Sequence, residues 1–188
     1  MRYNAQGFKM KDVIIRSQIA RYLREERKRK NLSLDATSKL TGVSKAMLGQ
    51  IEREESSPTI ATLWKIATGL QTSFSAFFSN ESTFESTEQI FPEDPNMKIN
   101  TLFPYKKDTG IEVFEITLLN HHSQMSPAHS VGVIEHVHVI LGEIQIYFDQ
   151  KWHSLIEGEN LRFFSDQPHG YKAISERAVF HNIVCYRN

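Results

Sequence analysis

The side chains best suited to bind a metal or a polar ligand lie in the second half of the chain. All eight histidines occur there: His121, His122, His129, His136, His138, His153, His169 and His181. Residues 133–141 alternate between two faces, and Glu135 falls on the apolar face together with Val137 and Val139. A buried carboxylate is unfavourable unless it meets a cation, a metal or hydrogen-bond donors. Glu135 therefore predicts a polar or metal-binding site inside this domain.

The same alternation places His136 and His138 on the opposite face, beside Ile134 and Ile140. The His-Val-His tripeptide has the spacing of a metal-binding pair, but Glu135 points to the other side of the strand. We therefore do not expect these three residues to act together. The remaining histidines at predicted turns or strand ends are interpreted as ordinary exposed residues: His121, His122 and His153.

Strands must position these side chains, because the second half of the chain has a hydrophobic period of two. Six strands are predicted, at residues 111–119, 133–141, 143–148, 152–156, 161–165 and 178–186. Gly, Asp, Asn or Pro residues separate them. Short strands divided by such turns are typical of an antiparallel sandwich or a small barrel.

The first half of the chain has helical periodicity instead. Ser33 and Ser44 are predicted to cap two short helices, residues 34–40 and 45–53, with Gly42 in the turn between them. The outward face of the second helix is small and basic, comprising Lys45, Ala46, Gly49, Gln50 and Arg53. Such a face fits the major groove of DNA, where Gln pairs with adenine and Arg or Lys with guanine.

Three further helices are predicted, at residues 13–31, 60–70 and 74–78. The first ends in a basic cluster: Arg21, Arg24, Arg27, Lys28, Arg29 and Lys30. These side chains either interact with the C-terminal end of their own helix or contact DNA phosphates, and we favour phosphate contact. Residues 79–95 are rich in Ser, Thr, Glu and Pro and are interpreted as a linker.

The distribution of charged residues also divides the chain, near residue 80. Residues 1–80 contain 14 Lys and Arg against 7 Asp and Glu, whereas residues 81–188 contain 8 against 15. A basic excess on the helical half is expected of a module that binds phosphate. The chain has one cysteine and no apolar run long enough to cross a membrane, so we expect a cytoplasmic protein.

The segment from Gly42, GVSKAMLGQIEREESSPT, resembles the helix-turn-helix of the XRE class, which includes Cro and the phage repressors. The resemblance implies that Ser44, Lys45, Ala46, Gln50 and Arg53 lie at the DNA groove and that Ser57 and Thr59 lie near phosphate. The chain departs from the class at Thr37 and Ser38, where Leu and Ala are usual, and at Glu54 and Glu55, which replace a glycine-containing turn.

Residues 111–186 resemble a cupin, a small double-stranded β-helix barrel. The spacing of the first cupin motif, counted back from Gly142, implies ligands at Glu135 and His129, with Val131 in place of a second histidine. The second motif implies a ligand at His169, and His181 could fill the missing position if the last strand faces inward. A site of this composition suits Zn, Fe, Ni or Mn. A metal-free pocket that binds a small polar molecule is the alternative.

Together these features predict an α+β protein of two domains. A five-helix, XRE-type helix-turn-helix domain at residues 13–79 would be joined by a linker, residues 80–100, to an all-β cupin domain, residues 101–188. The resemblance implies a homodimeric transcriptional regulator, not an enzyme, that binds operator half-sites in double-stranded DNA. Its cupin would sense an amino acid or a sulfur metabolite. The alternatives are a metal-dependent cupin enzyme, such as a dioxygenase or isomerase, or a cupin that serves only for dimerisation.

Overall fold

The computed structural model describes residues 5–78, 88–90 and 94–186. The chain forms two compact units, one helical and one built of β-strands. Within the described residues, the helical unit contains α1 (Ala5–Arg29), α2 (Leu34–Thr41), α3 (Lys45–Glu52), α4 (Ile60–Gly69) and a 3₁₀ turn, Ser75–Phe77. The predicted two-domain α+β architecture, with the helices first and the strands second, is confirmed.

Side-chain caps fix the start of each short helix. The hydroxyls of Ser33, Ser44 and Thr59 accept hydrogen bonds from the backbone N–H groups of Ala36, Met47 and Thr62, respectively. Gly42 ends α2 with φ of 67°, a left-handed conformation that glycine adopts at little cost. The predicted turn between α2 and α3 is therefore present, and it sets the direction of α3.

Helices α2 and α4 pack closely because Gly69 has no side chain. A Cβ atom at Gly69 would lie 2.6 Å from the carbonyl oxygen of Leu40. The polar residues of α2 are accommodated locally, since the Thr37 hydroxyl donates to the Ser33 carbonyl at 2.9 Å and the Thr41 hydroxyl to the Thr37 carbonyl at 2.8 Å. These threonines are buried without leaving their hydroxyls unpaired.

Two helix predictions need correction. Helix α1 begins at Ala5 rather than at residue 13. The predicted fifth helix is only the three-residue 3₁₀ turn, which leaves four α-helices in the described part of the chain. Phe74 and Phe77 at this turn are buried, and Phe74 stacks on Trp64 at 4.4 Å between ring centroids. The turn thus closes the helical core.

The strand unit contains two antiparallel sheets. Its strands are β1 (Glu88–Ile90), β2 (Met97–Lys106), β3 (Ile111–Leu119), β4 (Ser123–Ser126), β5 (Ile134–Leu141), β6 (Glu143–Phe148), β7 (Lys151–Ile156), β8 (Asn160–Phe164), β9 (His169–Ala173) and β10 (Arg177–Cys185). One sheet has the order β1-β2-β3-β10-β5-β8 and the other β4-β9-β6-β7. Alternate residues of β3, β5 and β6 are buried between the sheets. This is the two-sheet arrangement of a cupin barrel.

All six predicted strands are present within two residues of their predicted ends. Four further strands were not predicted: β1, β2, β4 and β9. Strand β2 begins at Met97, inside the range assigned to the linker. Residues 79–87 and 91–93 of the predicted linker lie outside the described residues, so the domain limits stay a prediction.

Candidate metal centre and nucleic-acid interface

The residues that the sequence assigns to the DNA groove are exposed at the start of α3 and along it. Ser44 caps α3, and Ser44, Lys45, Ala46, Gln50 and Arg53 are exposed. Ser57 and Thr59 are half-buried just before α4, where Thr59 is the cap. One predicted outward residue differs, because Gly49 is buried beneath the Arg53 guanidinium, whose Nη1 lies 3.1 Å from where a Gly49 Cβ would be.

Two of these basic residues form exposed ion pairs within the chain. Lys45 Nζ lies 3.1 Å from Asp35 Oδ1. Arg53 donates to both carboxylate oxygens of Glu55, at 2.8 and 2.7 Å. Exposed pairs of this kind contribute little to stability and are easily exchanged. Either cation can therefore leave its carboxylate for a phosphate or a base.

Three arginines of the basic cluster of α1 are paired within the helical unit, and phosphate contact by the rest of the cluster stays a prediction. Arg27 donates to both oxygens of Glu52 at 2.6 and 2.9 Å, and to the Leu32 carbonyl at 2.9 Å. Arg24 donates to the Glu52 carbonyl, and Arg29 to both oxygens of the buried Glu26. These arginines bind carboxylates and carbonyls of the helical unit. Those at Glu52 hold the C-terminal end of α3 against α1.

Three buried side chains in the barrel bring donor atoms together. Nε2 of His129 lies 3.0 Å from Oε1 of Glu135, and Nε2 of His169 lies 3.4 Å from the same oxygen. All three donor atoms lie within 4.8 Å of one another. His129 precedes β5, Glu135 lies on β5 and His169 begins β9, so both sheets contribute. These three residues could hold a metal ion.

Hydrogen bonds join the loop that carries His129 to the loop that precedes His169. The backbone N–H of His129 donates to the Ser165 carbonyl at 2.9 Å, and that of Gly132 donates to Asp166 Oδ2 at 2.8 Å. Val131 is 92% exposed. A side chain at this position, where the cupin motif has its second histidine, therefore points away from the cluster.

The other oxygen of Glu135 is held separately. The Tyr171 hydroxyl donates to Oε2, and Asn182 Nδ2 donates to the same atom at 2.9 Å. Burial alone would raise the pKa of Glu135, but the charge of His169 and the hydrogen bond from His129 lower that pKa to about 2. Glu135 is therefore a carboxylate that presents Oε1 to the histidines.

The ring orientation of His169 directs Nε2 toward Glu135. Its Nδ1 lies 2.9 Å from the Gln167 carbonyl oxygen, which can only accept, so Nδ1 carries the proton. Burial lowers the pKa of His169, whereas the negative charge of Glu135 opposes that shift. When Nε2 carries no proton, its lone pair is directed at the Glu135 carboxylate. Two acceptors at this distance repel each other unless a proton or metal ion lies between them.

The structure does not bring His181 to this cluster, which corrects the fourth predicted ligand. His181 lies on the outer face of β10, opposite His138 and 3.8 Å from Glu115 Oε2. The inward residue is its neighbour Asn182, which is 2% exposed. His136 also lies on the outer face, 3.7 Å from Cys185 Sγ.

Sequence reasoning missed Tyr171 and Asn182. Tyr171 is two residues after His169, so strand alternation places both on one face. Asn182 lies on the same face of β10 as the buried residues Phe180 and Val184. The alternation from His169 was the signal available for Tyr171, whereas Asn182 gave none, because both faces of β10 carry apolar residues.

Comparison with known proteins identifies the class. A helix-turn-helix family model (HTH_3) matches residues 23–77. The chain is 44% identical over 166 residues to the HTH-type transcriptional regulator SutR of Escherichia coli K12, covering 87% of this chain and 92% of that protein. The crystal structure of an HTH_3 family transcriptional regulator from Vibrio cholerae is 64% identical, covers 94% of this chain and 99% of that chain, and superimposes with a TM-score of 0.90. The chain therefore belongs to the XRE-type helix-turn-helix transcriptional regulators with a C-terminal cupin domain.

A second solved structure covers one half of the chain. The Cupin_2 domain of an XRE family transcriptional regulator from Enterobacter cloacae is 34% identical, covers 50% of this chain and 99% of that chain, and has a TM-score of 0.48. None of the described helices is both long and apolar enough to span a membrane.

Proposed function

We propose that this DNA-binding regulator senses a small molecule in its cupin barrel through a divalent metal ion held by His129, Glu135 and His169. The observation that carries the proposal is the buried cluster of three donor atoms, to which both sheets contribute. A carboxylate buried in the interior of a protein requires a compensating cation or hydrogen-bond donors. The metal would supply a positive charge and open positions that bind donor atoms of the effector.

Two of the three donor separations match those expected around one metal ion. Bonds of about 2.1 Å from one ion place adjacent donors about 3.0–3.4 Å apart when the angle between them is about 90–109°. The observed separations from Glu135 Oε1 are 3.0 Å to His129 and 3.4 Å to His169. Two imidazoles and one carboxylate suit Zn, Fe, Ni or Mn.

For the helical unit, we propose that α3 enters the major groove of DNA. Gln50 would read an adenine and Arg53 or Lys45 a guanine, while Ser44 and Ala46 allow close approach. Ser57 and Thr59 would contact phosphate at the start of α4. The exposure of Ser44, Lys45, Ala46, Gln50 and Arg53 supports this assignment.

A single helix-turn-helix reads only one half-site, so the regulator would act as a homodimer on DNA in the cytoplasm. Two recognition helices must be spaced by about one helical turn, ~34 Å. An effector in the barrel would change DNA affinity if it binds the DNA-competent and incompetent arrangements unequally, typically by about 5–150-fold. An amino acid or a sulfur metabolite is the effector class that we propose.

The second candidate is a metal-dependent enzyme fused to the DNA-binding unit. Two histidines and one carboxylate with open positions are also the donor set of non-haem iron oxygenases. The similarity to regulators along almost the whole chain favours sensing without catalysis. Turnover of an amino acid or sulfur compound with consumption of dioxygen by the iron-loaded protein would favour the enzyme.

The proposal is tested by DNA binding of the full-length protein. A duplex recovered by selection from random sequences serves as probe, and fluorescence anisotropy gives its affinity with apo protein, with each metal, and with amino acids and sulfur metabolites added. We expect metal plus one effector class to change affinity in wild type but not in His169→Gln. His138→Gln, on the outer face of β5, is the matched control. Equal responses in wild type and His169→Gln would contradict the proposal.

A further inference from the structure

The two oxygens of Glu135 have different surroundings. Oε1 lies beside the histidine Nε2 atoms, at 3.0 and 3.4 Å. Oε2 accepts from the Tyr171 hydroxyl and from Asn182 Nδ2. Glu135 is 1% exposed, so neither oxygen is open to solvent. The carboxylate is thereby fixed with one oxygen toward the candidate metal position and the other turned away.

The two donors to Oε2 also support each other. Asn182 Nδ2 lies 3.3 Å from the Tyr171 hydroxyl oxygen, which closes a triangle with Glu135. The Tyr171 ring stacks on Phe180 at 5.3 Å between centroids. Tyr171 lies on β9 in one sheet, whereas Asn182 and Glu135 lie on adjacent strands of the other. The carboxylate is therefore held from both sheets.

Hydrogen-bond chemistry fixes the Asn182 amide. Both neighbours of Nδ2 are oxygens, one of them a carboxylate oxygen, so an inverted amide would direct Oδ1 at a negative charge. Oδ1 is buried and has no hydrogen-bond partner among the described residues. The Asn182 amide donates to the Glu135 carboxylate, which an apolar residue could not do.

We propose that Tyr171 and Asn182 are positioning residues that restrict Glu135 to one donor oxygen. This inference rests on the proposed metal site and deepens it. With Oε2 held, Glu135 donates through Oε1 alone, so the metal keeps a position that a chelating carboxylate would occupy. That position is the one available to the effector. The pair thereby sets both the affinity for the metal and the number of positions open to a ligand.

The test is a Co²⁺ titration of the full-length apo protein, followed by visible absorption, because the cobalt spectrum reports the number and type of donor atoms. Tyr171→Phe removes one hydroxyl, and Asn182→Leu removes both amide atoms, including the unpaired acceptor. Tyr147→Phe is the matched control, since Tyr147 lies on the neighbouring strand β6 and outside the cluster. Circular dichroism verifies folding of each variant.

We expect wild type and Tyr147→Phe to bind one Co²⁺ per chain with the same spectrum. Tyr171→Phe and Asn182→Leu should bind about 10–100-fold more weakly, with a shifted visible band because Glu135 is free to chelate. Unchanged affinity and spectrum in both variants would overturn the inference and leave the metal site standing. Loss of folding in both variants would also overturn it, by giving the pair a purely structural role. Failure of wild type to bind Co²⁺ would overturn the metal site as well.

Discussion

Replacing Arg27 by Met tests whether this arginine positions α3 or contacts DNA. Its side chain is 15% exposed and that of Glu52 only 7%, so the pair is largely buried. Removing one partner of a buried pair typically costs about 3–5 kcal/mol, because the remaining charge is uncompensated. Met retains an aliphatic chain, so most of the loss comes from Glu52, which ends α3 where the helix dipole disfavours a carboxylate. We expect a loss of about 3 kcal/mol in the helical unit.

The assay is thermal unfolding of the full-length protein followed by Trp64 fluorescence. The chain has two tryptophans, so a Trp152→Phe background makes the signal report on the helical unit. For a unit of this size, a loss of about 3 kcal/mol lowers the midpoint by roughly 12–24 °C. Arg53→Met removes the exposed pair with Glu55 and serves as control, with no change expected. Equal midpoints for the two variants would refute a structural role for Arg27.

A second readout separates structure from DNA contact. Below its unfolding temperature, Arg27→Met should keep the wild-type salt dependence of DNA binding, because its guanidinium binds Glu52 rather than phosphate. Lys28 is exposed on the same helix. If Lys28 contacts phosphate, Lys28→Ala should reduce the slope of log affinity against log salt by about one. A reduced slope in Arg27→Met would return Arg27 to the DNA interface.

Three further perturbations have definite expected outcomes. Gln50→Ala should relax base preference at one operator position, at a cost of about 1–3 kcal/mol of binding free energy for the preferred base. Binding to operator variants that differ at a single position measures this effect, and an unchanged preference would mean that α3 is misplaced. Gly69→Ala should lower the Trp64 unfolding midpoint, because the added Cβ meets the Leu40 carbonyl, and an unchanged midpoint would show that α2 can move aside. A hydrogen bond from Arg29 lowers the pKa of Glu26 below its usual 4.5; its stabilising contribution is present above that pH and lost as pH falls below it. Acid unfolding of Glu26→Gln should accordingly be less steep below that pH, and an identical profile would exclude this contribution.

The helical unit could be predicted largely from local signals. Capping by Ser33, Ser44 and Thr59, with Gly42 in the turn, depends on residues a few positions apart, so sequence alone locates α2, α3 and α4. The role of Arg27 could not be predicted, because its partner Glu52 is 25 positions away. A basic helix end has the same appearance whether its charges bind phosphate or the protein itself.

The barrel site could be predicted only where a strand has a clear alternation of apolar and polar residues. Glu135 stood out because β5 has valines on one face only. On β10 both parities carry apolar residues, with Phe180 and Val184 inward and Ile183 and Cys185 outward, so periodicity could not place His181. Strands β4 and β9, SQMS and HGYKA, are too short and polar for an alternating pattern. Their pairing depends on the neighbouring strands rather than on their own composition.

The most direct test of metal-dependent sensing is native mass spectrometry of the full-length protein, with elemental analysis of the same sample. Wild type and Glu135→Gln are compared after incubation with Zn²⁺, Fe²⁺, Ni²⁺ or Mn²⁺ and removal of free metal. We predict a wild-type dimer that retains one metal ion per chain, and a Glu135→Gln dimer that retains none. A wild-type dimer that holds no metal after every incubation would contradict the proposed centre at His129, Glu135 and His169.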